Sequence, residues 1–132
     1  MADAAPPRVR ILVIEDEPLI AMNIEFSILD LGYDIVGPIA RLDDALTAAG
    51  RDDYDCAIID INIIGGPSYG VAAIFAARQR PFLIASGYND LSLPEALRNR
   101  PRLTKPYSSA QLETALQHMV DTCLKRETEV HD

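Results

Sequence analysis

An open α/β fold built on a parallel sheet is what the sequence predicts, on three observations. Short β-branched apolar runs alternate with segments of helical period along the chain, the pattern of repeated βα units. Within the strand at 54–59, Cys56-Ala57-Ile58-Ile59 are apolar at successive positions rather than at every second one, which implies a strand buried on both faces. The 132 residues, with no internal repeat, are the size of one domain with one core.

The elements follow in order. Residues 9–14 are rich in β-branched side chains and form the first strand. Pro18 suits the first turn of a helix, and Ile20, Ile24, Ile28 and Leu31 recur at helical spacing on one face. Gly32 is a natural stop. Residues 34–39 form the second strand, with Gly37-Pro38 marking an edge or a kinked end. Residues 41–49 form a short helix whose first turn carries Asp43 and Asp44, favourable with the helix dipole. The third strand spans 54–59, and the Gly/Pro-containing stretch 62–69 is a loop. The Ala-rich stretch 70–78 is helical and is broken by Pro81. Residues 82–85 form a short fourth strand, 87–100 is a polar crossover with Pro94 at a helix start, and 102–104 is the fifth strand. Ser108 with Gln111 is a capping-box pair opening a last helix whose face carries Leu112, Leu116, Met119 and Cys123. The expected organisation is a flexible lead-in at 1–8, the domain at 9–124 and a tail at 125–132.

Composition narrows the function. Hydrophobic content of 48% with 24% charged residues is globular. Twenty acidic against twelve basic residues give −8, a surface that repels nucleic acid, whose binding requires phosphate neutralisation by Lys and Arg. No apolar stretch approaches the ~20 residues needed to span a membrane, and the N-terminus lacks a signal-peptide apolar region. The expectation is a cytoplasmic protein binding neither nucleic acid nor membrane. Cys56 and Cys123 are too few and too separated for a zinc framework. Cys56, inside an apolar run, reads as a buried reduced thiol.

Four strand ends carry polar groups. The first runs into Glu15-Asp16-Glu17, the third into Asp60, the fourth into Ser86 and the fifth into Lys105. In a parallel sheet all four emerge at the carboxyl edge, where open α/β folds bind ligands. Adjacent carboxylates repel unless a cation or solvent separates them, and magnesium prefers a few carboxylates plus waters. A carboxylate at the exit of a buried strand needs a nearby cation to stay ionised. Lys105 can neutralise such a cluster or clamp a phosphoryl group as a compact charge. Ser86-Gly87 offers a hydroxyl and a close backbone approach. Each also has a plainer reading: an acidic helix start, a strand-end cap, an exposed lysine, a turn. Their order on successive strands is what distinguishes the set.

With Ile14-Glu15-Asp16-Glu17-Pro18, Ile58-Ile59-Asp60, Ala85-Ser86-Gly87 and Thr104-Lys105-Pro106-Tyr107 in place, the chain resembles the receiver domain of bacterial response regulators across 9–124. The resemblance implies a flavodoxin-like (βα)5 three-layer sandwich, with five parallel strands in order 2-1-3-4-5. It also implies roles. Asp60 is the phosphoacceptor. Magnesium, or manganese in its place, is held by Asp16, Asp60 and the backbone carbonyl of Asn62, with Glu15 acting through water. Ser86 and Lys105 bind the phosphoryl group, Ser86 as the switch hydroxyl. The Lys105-Pro106 bond is expected to be cis.

Three features depart from the usual receiver pattern. Ile64 stands where a proline is common, the loop after Asp60 reaches its helix-start glycine late, and Arg102 replaces an aromatic switch residue. Tyr88 and Tyr107 are candidate substitutes in the relay. The stretches around Leu83-Ile84-Ala85-Ser86-Gly87-Tyr88 and Lys105-Pro106-Tyr107 look like the FAT GUY subset of receivers, with Ser86 for its usual threonine.

The expected function is that of a stand-alone receiver in a two-component system or phosphorelay. It takes a phosphoryl group from a sensor histidine kinase or a histidine phosphotransfer protein, catalysing its own phosphorylation and slow aspartyl-phosphate hydrolysis. It then signals to an unknown downstream protein by contact, or drains phosphate as a sink. The alternatives are a non-phosphorylated pseudo-receiver and a magnesium-dependent phosphatase. Haloacid-dehalogenase-type phosphatases want Asp two residues after the nucleophile, where this chain has Asn62.

Overall fold

A computed structural model describes residues 8–87 and 93–130, with backbone only at 127–130. The elements are β1 (Arg10–Ile14), α1 (Pro18–Asp30), β2 (Asp34–Ile39), α2 (Leu42–Ala49), β3 (Cys56–Asp60), β4 (Asn62–Ile63), β5 (Gly66–Pro67), α3 (Tyr69–Ala77), β6 (Phe82–Ser86), a 3-10 turn at Glu95–Leu97, β7 (Arg102–Thr104) and α4 (Ser109–Val130). The five long strands form one parallel sheet in the order β2-β1-β3-β6-β7. Counting those strands alone, this is the predicted 2-1-3-4-5.

Alternation along the central strands divides the core into two layers. Leu12, Ile14, Ala57, Ile59 and Ile84 face α2 and α3, where Ala45, Val71 and Phe75 meet them. Ile11, Val13, Cys56, Ile58 and Leu83 face α1 and α4, against Ile24, Ile28, Leu112 and Leu116. β3 is buried at every position, and each isoleucine so enclosed contributes about 1.5–3 kcal/mol. Cys56 and Cys123 are both buried and neither forms a disulfide, as expected for Cys56.

The helix ends follow local chemistry. Pro18 opens α1, where its missing N–H costs nothing. Ser108 and Gln111 form the capping box reciprocally: the Ser108 N–H donates to Gln111 Oε1 at 2.8 Å, and the Gln111 N–H to Ser108 Oγ at 3.0 Å. Lys105-Pro106 is cis, and so is Gly37-Pro38. Gly37 adopts φ +96°, and a Cβ there would lie 2.8 Å from the Val13 carbonyl. The β1–β2 register shifts at this point.

Three stretches differ from expectation. The predicted loop at 62–69 folds back on itself as the antiparallel pair β4-β5. The crossover at 87–100 holds, among the described residues, the single 3-10 turn Glu95–Leu97 rather than the helix expected from Pro94. α4 continues through Val130, beyond the Leu124 at which the apolar period gives out. None of the described helices is long and apolar enough to cross a membrane.

Candidate functional site

The carboxyl ends of β1, β3, β6 and β7 converge, and with them the predicted groups. After β1 the chain stays extended, the Glu15 N–H donating to the Ile39 carbonyl at 2.9 Å. This buries the Glu15 side chain and leaves Asp16 half-buried beside it. Asp60 closes β3 and is 7% exposed. The β6–β7 ladder continues one step past Thr104, the Lys105 N–H donating to the Ser86 carbonyl at 2.8 Å. That bond aims the lysine back across the sheet edge. Lys105 Nζ lies 2.8 Å from Asp60 Oδ2 and 3.2 Å from Glu15 Oε1.

One carboxylate oxygen from each of Glu15, Asp16 and Asp60 lies within 4.8 Å of the others. So compact a hard-oxygen set suits a small divalent cation. Burial, and then the charge of Asp60, push Glu15 up to about 7. Burial would lower Lys105, but its hydrogen bond to Asp60 and the charges of Asp60 and Glu15 outweigh this and raise it. The site thus carries a surplus of negative charge that one lysine only partly offsets, and the residues present fit a cation.

Ser86 is fully buried, and its Oγ has no hydrogen-bond partner among the described residues. A buried hydroxyl without a partner costs about 1–3 kcal/mol, so Ser86 is poised for an acceptor. The Asn62 N–H donates to Asp60 Oδ1 at 3.2 Å, which sets the backbone of Asn62 against the carboxylate.

Of the proposed relay residues, Tyr88 lies outside those described. Arg102 is exposed at the start of the edge strand, away from the acidic cluster. Tyr107 is half-buried, with an Oη that is buried and unpartnered among the described residues. Burial, then the charge of Glu15, push it up to about 12. It lines a groove of about 430 Å³ with Glu17, Ile20, Asn23 and Lys105, and a second one on the other side with Arg102 and Leu103. Ile64, at the position of the usual proline, is exposed and bridges to Arg41.

Sequence reasoning missed Ser68. It is fully buried, and its hydroxyl donates to the Asp60 carbonyl at 2.6 Å, with the Ile61 carbonyl at 3.1 Å. It thereby ties the start of α3 to the backbone of Asp60 itself. A serine directly before a helical period, at the N-cap position, was the available signal.

No family model matches the chain. The transcriptional regulatory protein PdtaR of Mycobacterium tuberculosis is 30% identical over 120 residues, which are 88% of this chain and 58% of that protein. The chain thus spans less than two thirds of this curated relative. SdrG from Sphingomonas melonis Fr1 is 38% identical, with a TM-score of 0.74 covering 86% of this chain and 97% of SdrG. A CheY-like response regulator receiver domain protein from Methanospirillum hungatei is 18% identical, with a TM-score of 0.79 covering 90% and 98%, and shares the fold. Near full-length likeness to SdrG, the receiver folds around it and the acidic strand-end cluster agree, and the chain belongs to the response-regulator receiver family.

Proposed function

We propose that this receiver accepts a phosphoryl group on Asp60 from a phosphohistidine of a sensor histidine kinase or histidine phosphotransfer protein, in the cytoplasm. The observation that carries the reading is the convergence of Asp60, Glu15, Asp16 and Lys105 within hydrogen-bond and metal-ligand distances at one sheet edge. An oxygen of the Asp60 carboxylate attacks phosphorus, a P–O bond forms, and the P–N bond breaks with its electron pair leaving on the donor imidazole. Little covalent work falls to the protein, so positioning and charge dominate.

Asp16 and Asp60, with the Asn62 carbonyl and Glu15 through water, would hold magnesium. Bound there, the cation supplies neutralising charge for the phosphoryl oxygens. Lys105 contributes a compact positive charge at the same oxygens once it leaves its present partners. Ser86 Oγ donates to a phosphoryl oxygen and so gains the partner it lacks. That exchange couples phosphorylation of Asp60 to the end of β6 and biases a two-state surface. The hydrolysis of the acyl phosphate by water resets the protein.

Docking of a donor also needs surface. Leu19, Met22, Phe26 and Leu29 are exposed along the outer face of α1, beside the groove that Lys105 and Glu17 line. A contiguous apolar face of this kind marks a protein contact. The test is transfer of labelled phosphate from a purified phosphorylated kinase of the same cell. Label reaches the wild-type chain and not Asp60→Asn; label retained by Asp60→Asn overturns the assignment.

A further inference from the structure

Two chain segments carry groups that would hold a cation, Glu15-Asp16 after β1 and Asn62 after β3, and both are fastened to one short stretch. At the end of β2 the Ile39 carbonyl accepts from the Glu15 N–H at 2.9 Å. The next carbonyl, that of Ala40, accepts from the Ile64 N–H at 3.1 Å. The Leu42 N–H returns a bond of 2.8 Å to the Ile64 carbonyl, and Ile64 is thereby bridged in parallel to Arg41. Neighbouring carbonyls of the β2–α2 connection thus hold the two loops side by side.

The local fold explains why Ile64 makes this connection. Asn62-Ile63 and Gly66-Pro67 pair as β4 and β5, which leaves Ile64 and Gly65 as the turn. Gly65 has φ +107°, and a Cβ on it would lie 3.1 Å from Leu42 Cβ, so the hairpin tip sits directly against the start of α2. Ile61 and Ile63 are buried on either side of Asn62, whereas the Ile64 side chain is 47% exposed. What Ile64 contributes is its backbone, an N–H and a C=O both bonded to the β2–α2 connection. A proline, the residue usual among receivers at this position, lacks the N–H that reaches Ala40. The Asn62 N–H donates to Asp60 Oδ1 at 3.2 Å, but that bond leans on the very carboxylate a cation would claim. A lasting restraint on the loop has to come from elsewhere, and the bonds of Ile64 supply one.

The geometry points to Ile64 as a positioning residue for the cation: through its N–H and C=O it holds the Asn62 backbone in register with Glu15 and Asp16. The inference deepens the role of the same site and so rests on the receiver reading. Magnesium demands near-ideal octahedral geometry. A loop fixed beforehand therefore binds it better than one that must be ordered on binding. Coupling of this kind is reciprocal. Whatever the tether adds to magnesium affinity, magnesium adds to the closing of the tether.

The experiment titrates the full chain with magnesium by calorimetry and follows the Ile64 amide by hydrogen exchange. Ile64→Pro binds magnesium about fivefold more weakly, which is what the loss of one backbone hydrogen bond is worth. The substitution deletes the donor and asks of Ile63 only an extended conformation, which β4 already has. Ile64→Ala keeps the N–H and with it the wild-type affinity, which separates the backbone from the exposed side chain. In the wild-type chain, exchange of the Ile64 amide slows by about the same factor at saturating magnesium. That measurement needs no variant and decides the matter even if Ile64→Pro folds poorly. Equal affinity of Ile64→Pro and wild type, an equal loss in Ile64→Ala, or an Ile64 exchange rate indifferent to magnesium overturns the proposal. A merely structural tether would lower the urea midpoint of Ile64→Pro and leave its magnesium affinity unchanged. A wild-type chain that binds no magnesium removes the cation reading and this proposal together. Normal binding by wild type with undiminished binding by Ile64→Pro removes the tether alone.

Discussion

Lys105 Nζ sits 2.8 Å from Asp60 Oδ2 while also reaching Glu15 Oε1 at 3.2 Å, so one cation holds together the carboxylates that a metal and a phosphoryl group would claim. Both acids are nearly enclosed, whereas the lysine is 20% exposed. Each protein–ligand event at this edge therefore begins by breaking an internal ion pair.

Lys105→Ala tests that relationship. Removing the lysine leaves two buried acids facing each other, and the metal-free protein loses roughly 2–3 kcal/mol. The same change removes a competing positive charge, so magnesium binding tightens by about tenfold at low ionic strength, and less as salt screens the cluster. Calorimetric titration with magnesium, together with urea melts in chelator, reads both effects. Weaker magnesium binding in the variant would show that the lysine supports the site rather than competing for it.

Glu15 gives the metal-free protein a pH dependence of definite sign. Its folded pKa stands at about 7, raised first by burial and then by the Asp60 charge, against an ordinary value of 4.5. Between these values the folded state binds more protons than the unfolded state, so stability falls as pH rises through this window and levels off above it. The loss is on the order of 3 kcal/mol, the favourable Lys105 charge being already part of that value. Urea midpoints in chelator should decline from about pH 5 to about pH 8, and Glu15→Gln should flatten the decline. A wild-type midpoint that rises across that interval would contradict the assignment.

The orphan hydroxyl of Ser86 separates stability from signalling. Alanine removes a buried, unpartnered group, so Ser86→Ala folds with a stability within about 1 kcal/mol of wild type, or slightly above it. Its conformational response to beryllofluoride shrinks, while Ser86→Thr keeps the response. Amide spectra with and without beryllofluoride decide the matter, and an undiminished response in the alanine variant would rule Ser86 out as the switch hydroxyl.

Ser68 is the reverse case, a positioning residue inside the fold. Ser68→Ala leaves the Asp60 carbonyl without its 2.6 Å donor, at a cost of about 1–3 kcal/mol. Phosphotransfer to Asp60 slows because the carboxylate-bearing backbone is less constrained, and Ser68→Thr recovers part of the rate. A purely structural role would lower the melting temperature and leave the transfer rate of the folded fraction unchanged.

The legible parts of this chain are those where one local signal and one global demand coincide. Ile14, Ile59 and Ala85 end apolar runs that had to be buried, so the polar residues after them had to emerge together, and the site could be read before the fold was seen. The β4-β5 pair was not legible, because Asn62-Ile63 and Gly66-Pro67 are too short to carry any period and their pairing depends on the turn through Gly65 and Gly66, both at positive φ. The last helix outran its apolar face because residues after Cys123 continue it through helix propensity rather than core packing. On α1 the inward stripe of Ile20, Ile24 and Ile28 was plain, but the outward one of Leu19, Met22, Phe26 and Leu29 blurs the same pattern. A helix apolar on both faces reads from its sequence as buried, and only the packing shows which face is left open.

Far from Asp60, Asp55 and Arg10 lock the opposite end of the central strands. The Arg10 N–H and Nε reach Asp55 Oδ2 at 2.8 and 3.2 Å, and Nη2 reaches Oδ1 at 3.0 Å. Burial alone would raise the Asp55 carboxyl, but the side-chain and backbone hydrogen bonds from Arg10 outweigh it and hold the group below its ordinary range. A depressed folded pKa contributes stability above the unfolded value, near 3.8, and loses it as pH falls through the folded one. Asp55→Asn should therefore cost about 1 kcal/mol at neutral pH, a modest figure because Arg10 is 42% exposed. The difference should close as pH falls through the folded value and the wild-type carboxylate is itself protonated. Paired urea melts at neutral and acid pH measure the gap, and a gap of constant size across both would mean that the asparagine disturbs packing at the start of β3 rather than an ion pair.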